Sequence, residues 1–210
     1  MIAMMAATAL FIVLCFMGPL TWISGVILLI ALAAMLVYAA RAANAHRKAC
    51  ADDEEIEGAD PSLGWPKISL YLVLGLIGLP LGANLLVEGA TSIAREFGIS
   101  ETVIGLTLVA IGTSLPELAT TVMAALRRQA DVALGNVIGS NMFNLLGIMG
   151  VASLVGNIPV DPAFLRFDLW VMALASAALI PFVFLKKDIT RIWGIGLTAL
   201  YVIYLVVVLV

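Results

Sequence analysis

Charge is scarce in this sequence. Of 210 residues only 12% are Asp, Glu, Lys or Arg, while 63% are hydrophobic. A soluble domain carries about a quarter charged and about half apolar residues, so an ordinary soluble fold is excluded. The net charge of −3 offers nothing to a nucleic acid, and no such partner is expected. Histidine occurs once, as His46 in a basic stretch, and the two cysteines are unlike in setting: Cys15 lies in an apolar run and Cys50 in a polar one. Without His or Cys at ligand spacing, neither a zinc or copper site nor a disulfide is expected. No catalytic dyad stands out either, so the chain is not read as an enzyme and no prosthetic group is implied. A signal peptide is also excluded. Residues 1–18 have no basic segment before the apolar run and no small-residue cleavage site after it, and another apolar run follows at once.

Long apolar runs are what the chain does have, with a mean hydropathy of +1.13. Runs of about 18 or more such residues cross a bilayer as helices, because each backbone N–H and C=O must be paired within its own segment. The expected fold is all-α and polytopic. Its spans, about seven transmembrane helices, cover residues 1–18, 21–40, 68–95, 100–126, 131–156, 165–185 and 190–209. Gly18-Pro19 breaks the first two apart. The one long polar stretch, 41–67, holds Asp52, Asp53, Glu54, Glu55, Glu57 and Asp60, then Pro61 and Pro66. It reads as a solvated acidic linker between a two-helix piece (1–40) and a five-helix piece (68–210). The acidic run lacks the spaced ligands and glycine of an EF-hand.

Of the 11 Lys and Arg residues, Arg41, Arg47, Lys48, Lys67, Arg127, Arg128, Lys186, Lys187 and Arg191 fall on one side of this pattern. Only Arg95 and Arg166 fall on the other. Basic residues accumulate on the cytoplasmic side, so the linker and the N-terminus are expected there and the C-terminus outside. Trp22, Trp65, Trp170 and Trp193 sit near span ends, as interfacial anchors do.

Two spans carry polar clusters where lipid-facing helices carry none. The first reads Gly112-Thr113-Ser114-Leu115-Pro116-Glu117; the second holds Asn136, Ser140, Asn141 and Asn144. Glu117 lies about 12 residues before the turn at Arg127–Ala130, with Ser140 about 11 and Asn144 about 14 after it. At roughly 1.5 Å per residue all three sit on the order of 15–20 Å from the cytoplasmic end, near the midplane of a core about 30 Å thick. Thr113 and Glu117 are four apart, as are Asn136, Ser140 and Asn144 in turn, so each set follows one helical face. Pro116 cannot donate to the Gly112 carbonyl, which predicts a broken or kinked helix there. Glycines 105, 112, 135, 139 and 147 predict close helix approach. A lone Ser, Thr or Asn in a membrane helix usually serves packing, and that reading stays open for Asn136 and Asn141. Glu88 and Asn84, toward the outer end of their span, are read as packing or interface residues. Glu117 is different, since no basic residue stands near its depth and an intramembrane carboxylate points to function. The donor set is oxygen only, which suits Na⁺, Ca²⁺ or Mg²⁺.

The pair GLTLVAIGTSLPEL (105–118) and ALGNVIGSNMFNLLGIMG (133–150) resembles the α-repeat of the cation/calcium antiporter superfamily, the sodium/calcium exchangers. A looser similarity runs from about Gly82 to Val155. The resemblance implies a secondary active antiporter exchanging Ca²⁺ for Na⁺ in the cell (plasma or inner) membrane, with both ions as cargo. Ca²⁺/H⁺ or K⁺-dependent exchange is the nearest alternative. It implies Glu117, Thr113, Ser114 and the carbonyl of Ala110 as cation ligands from one helix of the repeat, with Ser140 and Asn144 from the other. Some members carry aspartate where Asn144 stands. It also implies one five-helix half of an inverted-repeat exchanger plus two preceding helices, with span 68–95 as the long tilted helix that slides past the site. No first α-repeat appears in residues 1–40. Calcium takes about 6–8 oxygens and this repeat offers fewer, so a missing first half is the expected partner, through a longer parent protein or a split subunit. An inactive fragment and a non-transporting membrane scaffold are the remaining alternatives.

Overall fold

The computed structural model describes residues 1–49, 64–99, 104, 110–185 and 189–209. Cys50, the acidic run, Glu101, Gly105, Lys186 and Lys187 lie outside the described residues. The chain is all-helical: α1 (Ile2–Phe16), α2 (Trp22–Ala49), α3 (Trp65–Glu96), α4 (Ala110–Thr113), α5 (Leu115–Leu126), α6 (Ala130–Met142), a π-helical turn (Phe143–Ile148), α7 (Met149–Val155), α8 (Pro162–Arg166), α9 (Asp168–Ala178), α10 (Ile180–Phe184) and α11 (Arg191–Leu209). Among the described residues there is no strand; a single bridge pairs Leu20 with Ile158, each N–H donating to the other's carbonyl at 2.9 Å.

Three stretches, Trp22–Ala45, Trp65–Glu96 and Ala130–Val155, are long and apolar enough to cross a membrane. Four shorter apolar ones, Ile2–Phe16, Leu115–Leu126, Asp168–Phe184 and Arg191–Val207, correspond to the remaining predicted spans. Helix α2 continues to Ala49, through the basic stretch at Arg41–Lys48. Helix α3 opens with Pro66 in its first turn, where the missing N–H costs nothing, and runs on through Pro80 to Glu96. The apolar side chains Leu72, Leu76 and Leu86 of α3 stay exposed, as on a helix that is oily all round.

The chain divides into two compact units. The first comprises Met1–Glu54 and Leu134–Ile189. Its core gathers Ala7, Phe11, Leu14 and Cys15 of α1, Leu20, Leu28 of α2, Leu145 and Leu146 of the π turn and Leu169 of α9. Helix α2 lies so close to α7 that a Cβ built at Gly25 would stand 2.7 Å from the Gly150 carbonyl oxygen, and one at Gly150 would stand 2.9 Å from Leu29 Cγ. Small residues at such crossings let backbones meet. Two of the polar side chains buried here are satisfied within their own helices. Thr8 Oγ1 donates to the Met4 carbonyl at 3.0 Å and Ser153 Oγ to the Met149 carbonyl at 2.7 Å, a common membrane-helix solution.

The second unit comprises Glu55–Ala133 and Thr190–Val210. Two helices in it end on the same device. At the end of α3 the Ile99 N–H reaches the Ala94 carbonyl at 3.0 Å and the Gly98 N–H the Arg95 carbonyl at 2.9 Å, with Gly98 at φ +74°. At the end of α5 the Gln129 N–H bonds the Ala124 carbonyl at 2.9 Å and the Arg128 N–H the Ala125 carbonyl at 3.0 Å. Both are Schellman closures, which favour glycine at the left-handed position. In the second that position is Arg128, at φ 59°. Left-handed backbone costs a residue with a Cβ about 1 kcal/mol or more, so Arg128→Gly is expected to raise the thermal midpoint of the detergent-solubilised chain by an amount worth about 1 kcal/mol. Circular dichroism melting checks it; an unchanged or lower midpoint contradicts the strain.

Candidate functional site

The break predicted at Pro116 is present. Helix α4 stops at Thr113, Ser114 takes φ −96° and ψ 0°, and α5 begins at Leu115 with Pro116 in its first turn. The Ser114 N–H donates to the Ile111 carbonyl at 3.0 Å, three residues back, as in a tightened last helical turn. Pro116 has no N–H for the Gly112 carbonyl. The Gly112 carbonyl thus lacks its usual helical donor, and irregular backbone in a membrane helix is tolerated where it lines a cavity or is buried in protein.

Glu117 falls in the first turn of α5. The N-terminal end of a helix carries positive partial charge, which favours a carboxylate without any basic partner. The residues Ser114-Leu115-Pro116-Glu117 spell a capping box, yet Ser114 makes no side-chain cap bond. Its hydroxyl is not spent on the helix end. Glu117 is half-buried and engaged elsewhere in the fold, while its Oε2 oxygen is shielded from solvent and accepts no hydrogen bond among the described residues. The Glu117 carbonyl accepts from Thr120 Oγ1 at 2.9 Å. Because the break falls between Thr113 and Glu117, the two do not share one continuous helical face as their spacing suggested; they meet across a discontinuity.

Gly112 is fixed by packing. A Cβ there would overlap Cγ2 of Val87, so α3 reaches α4 at this point only because residue 112 has no side chain. Gly147 is also tight, its Cβ position lying 3.3 Å from Leu32 Cδ2. Gly135 and Gly139 differ from the expectation: nothing described lies within 4 Å of a Cβ at either.

Thr113, Ser114 and Glu117 belong to the second unit; Ser140, Asn141 and Asn144 belong to the first. Ser140 and Asn141 are half-buried on α6, and Asn144 is exposed in the chain by itself. Asn144 stands in the π turn, where its carbonyl accepts from the Met149 N–H, five residues on. Single π turns recur at functional positions. Asn141 Nδ2 donates to Ser176 Oγ of α9 at 3.4 Å. The sequence singled out Asn141 but not Ser176, whose one trace was a hydroxyl in an otherwise apolar span. Among the described residues no three His, Cys, Asp or Glu side chains come together. On the broken helix the donors are the Glu117 carboxylate, the Thr113 and Ser114 hydroxyls and backbone carbonyls.

Fold and clusters together define a polytopic helical membrane protein with a discontinuous helix that carries a carboxylate at its restart. Residues 67–210 match the family model described as sodium/calcium exchanger protein. The chain belongs to that family. It is 46% identical over 120 residues to a putative antiporter, CaxA, of Alkalimonas amylolytica, covering 57% of this chain and 37% of that protein. It is 42% identical over 115 residues to the sodium/calcium exchanger MaX1 of Methanosarcina acetivorans, covering 55% and 33%. A solved structure of the sodium-calcium exchanger NCX_Mj, soaked with Na⁺ and Sr²⁺, superposes with a TM-score of 0.70 at 35% identity, covering 96% of this chain and 63% of that one. The chain therefore spans between a third and two thirds of these relatives.

Proposed function

We propose that the chain works in secondary active cation antiport, exchanging Ca²⁺ for Na⁺ through an oxygen-ligand site near the bilayer midplane. The observation that carries this reading is the restart of the broken helix at Leu115, which brings the Glu117 carboxylate into its first turn next to a Ser114 hydroxyl that makes no cap bond. Glu117 is the charged ligand, with Thr113, Ser114 and the Ala110 carbonyl beside it. Ser140 and Asn144 contribute from the second helix of the repeat, at the depth counted from the sequence. Since Ca²⁺ takes about 6–8 oxygens, a first half bearing its own α-repeat completes the site. The chain is organised as two helices (1–40), a cytoplasmic linker (41–67) and a five-helix half (68–210) in the cell membrane, with the C-terminus outside. The bias of basic residues supports that orientation.

The test is Ca²⁺ uptake, driven by an outward Na⁺ gradient, into vesicles holding the chain with a first-half α-repeat segment. Uptake that tracks the Na⁺ gradient is expected. Uptake that tracks an imposed pH or K⁺ gradient instead would replace Na⁺ coupling with H⁺ or K⁺ coupling. A membrane scaffold predicts that Glu117→Gln leaves cation binding unchanged and alters only stability.

A further inference from the structure

We infer that Asn141 and Ser176 form a positioning link that sets the rotation of the helix carrying Ser140 and Asn144. The inference rests on the reading of Ser140 and Asn144 as cation ligands. Asn141 comes one residue after Ser140 and so lies about 100° round the helix from it. It is also three residues before Asn144, about 60° from it, so it flanks the face that Ser140 and Asn144 share, and its amide meets the hydroxyl of Ser176 at 3.4 Å. Ser176 is 4% exposed, and a buried hydroxyl or amide at this depth is costly unless it is hydrogen-bonded.

The surroundings explain why such a link matters at this position. Downstream, α7 is anchored on α2 through Gly150 and Leu29. Between that anchor and Asn141 lies the π turn of Phe143–Ile148. One extra residue in a turn rotates the helix beyond it by about 100° relative to the helix before it, so the anchor does not by itself dictate where Ser140, ahead of the turn, points, while Asn144 lies inside the turn beside the buried Leu145 and Leu146. Upstream, a Cβ at Gly135 or Gly139 would meet nothing described within 4 Å, so neither glycine marks a close helix crossing there. The Asn141–Ser176 bond sits between these two stretches and joins positions 35 residues apart. Groups that hold ligands from behind act on affinity without touching the ion.

The chain assembled with the first-half α-repeat segment in lipid nanodiscs, with ¹⁵N at the chain's own asparagine side chains, provides the test. Ser176→Ala is expected to shift the Asn144 side-chain amide resonance as well as that of Asn141, and to weaken Ca²⁺ binding on the order of tenfold in a Ca²⁺ titration. Ser176→Thr, which keeps the hydroxyl, is expected to restore both. Asn141→Leu should reproduce the Ser176→Ala effect without adding to it in the double variant. If Ser176→Ala lowers the melting temperature but leaves the Asn144 resonance unmoved, the link is mere packing and the inference falls. If Ca²⁺ up to tens of millimolar leaves Asn144 unmoved in the unmodified chain, the cation-ligand reading falls instead. The resonance coupling between positions 176 and 144 still decides the positioning in that case.

Discussion

Glu117→Ala is expected to abolish Na⁺-driven Ca²⁺ uptake while leaving the fold nearly as stable as before. Glu117 is the carboxylate at the restart of the broken helix, and the other donors beside it are neutral. Removing one partner of a charge interaction in low-dielectric surroundings costs about 3–5 kcal/mol, which is roughly a hundred- to a thousandfold or more in affinity. Stability responds far less. The carboxylate's favourable interaction with the α5 N-terminus is worth about 1 kcal/mol or less, and α5 keeps Pro116 in its first turn. Glu117→Gln separates shape from charge: it retains the size and loses the anionic oxygen, and is expected to match alanine in uptake. Full exchange by either variant, measured at matched amounts of folded protein in the vesicles, would remove Glu117 from the ligand set.

Gly25→Ala is expected to damage folding more than alanine at Gly150, Gly135 or Gly139. A Cβ at 25 stands 2.7 Å from a backbone carbonyl oxygen, that of Gly150, and 3.2 Å from both Ser153 Cβ and Leu154 Cδ2. Backbone has no rotamer to change, so α2 and α7 must separate along their whole crossing. Overpacking of this kind costs about 1–3 kcal/mol and occasionally more, well above the roughly 0.5–1 kcal/mol that alanine gains over glycine inside a helix. Gly150→Ala reaches the same crossing from the other side but meets the Leu29 side chain, 2.9 Å from its Cγ, which can turn aside. Its expected cost is smaller. Gly135→Ala and Gly139→Ala, with open space at both positions, serve as controls and are expected to be neutral or slightly stabilising. Thermal unfolding of the detergent-solubilised chain checks the order; Gly25→Ala melting with the controls would show that the helices do not meet as described.

These glycines mark where sequence reasoning stops. Glycines 112 and 147 do sit at close contacts, but so do Gly25 and Gly150, which no motif singled out, while Gly135 and Gly139 of the GN-GSN pattern stand clear. Nothing local tells them apart. A glycine at a crossing and a glycine on an open face present the same residue to the same kind of apolar helix, and only the partner, distant in the chain, distinguishes them. The same holds for Asn141, whose hydrogen-bond partner lies 35 residues away, and for the π turn, which no proline or other obvious breaker announces.

The features legible from the residues alone arise from local covalent and solvation chemistry. Apolar runs imply membrane helices because lipid offers the backbone no hydrogen bonds. Pro116 implies the break at Ser114 because its nitrogen carries no hydrogen. A carboxylate in an apolar span points to a functional role because charge there is costly, and its part as a hard-cation ligand is the proposal made above. Tertiary structure decided the rest: which helices touch, that residues 1–49 pack with the stretch Leu134–Ile189, where the π turn falls, and which amide meets Ser176. Each of these depends on two surfaces far apart in sequence fitting together, and fit belongs to the pair of surfaces rather than to either segment.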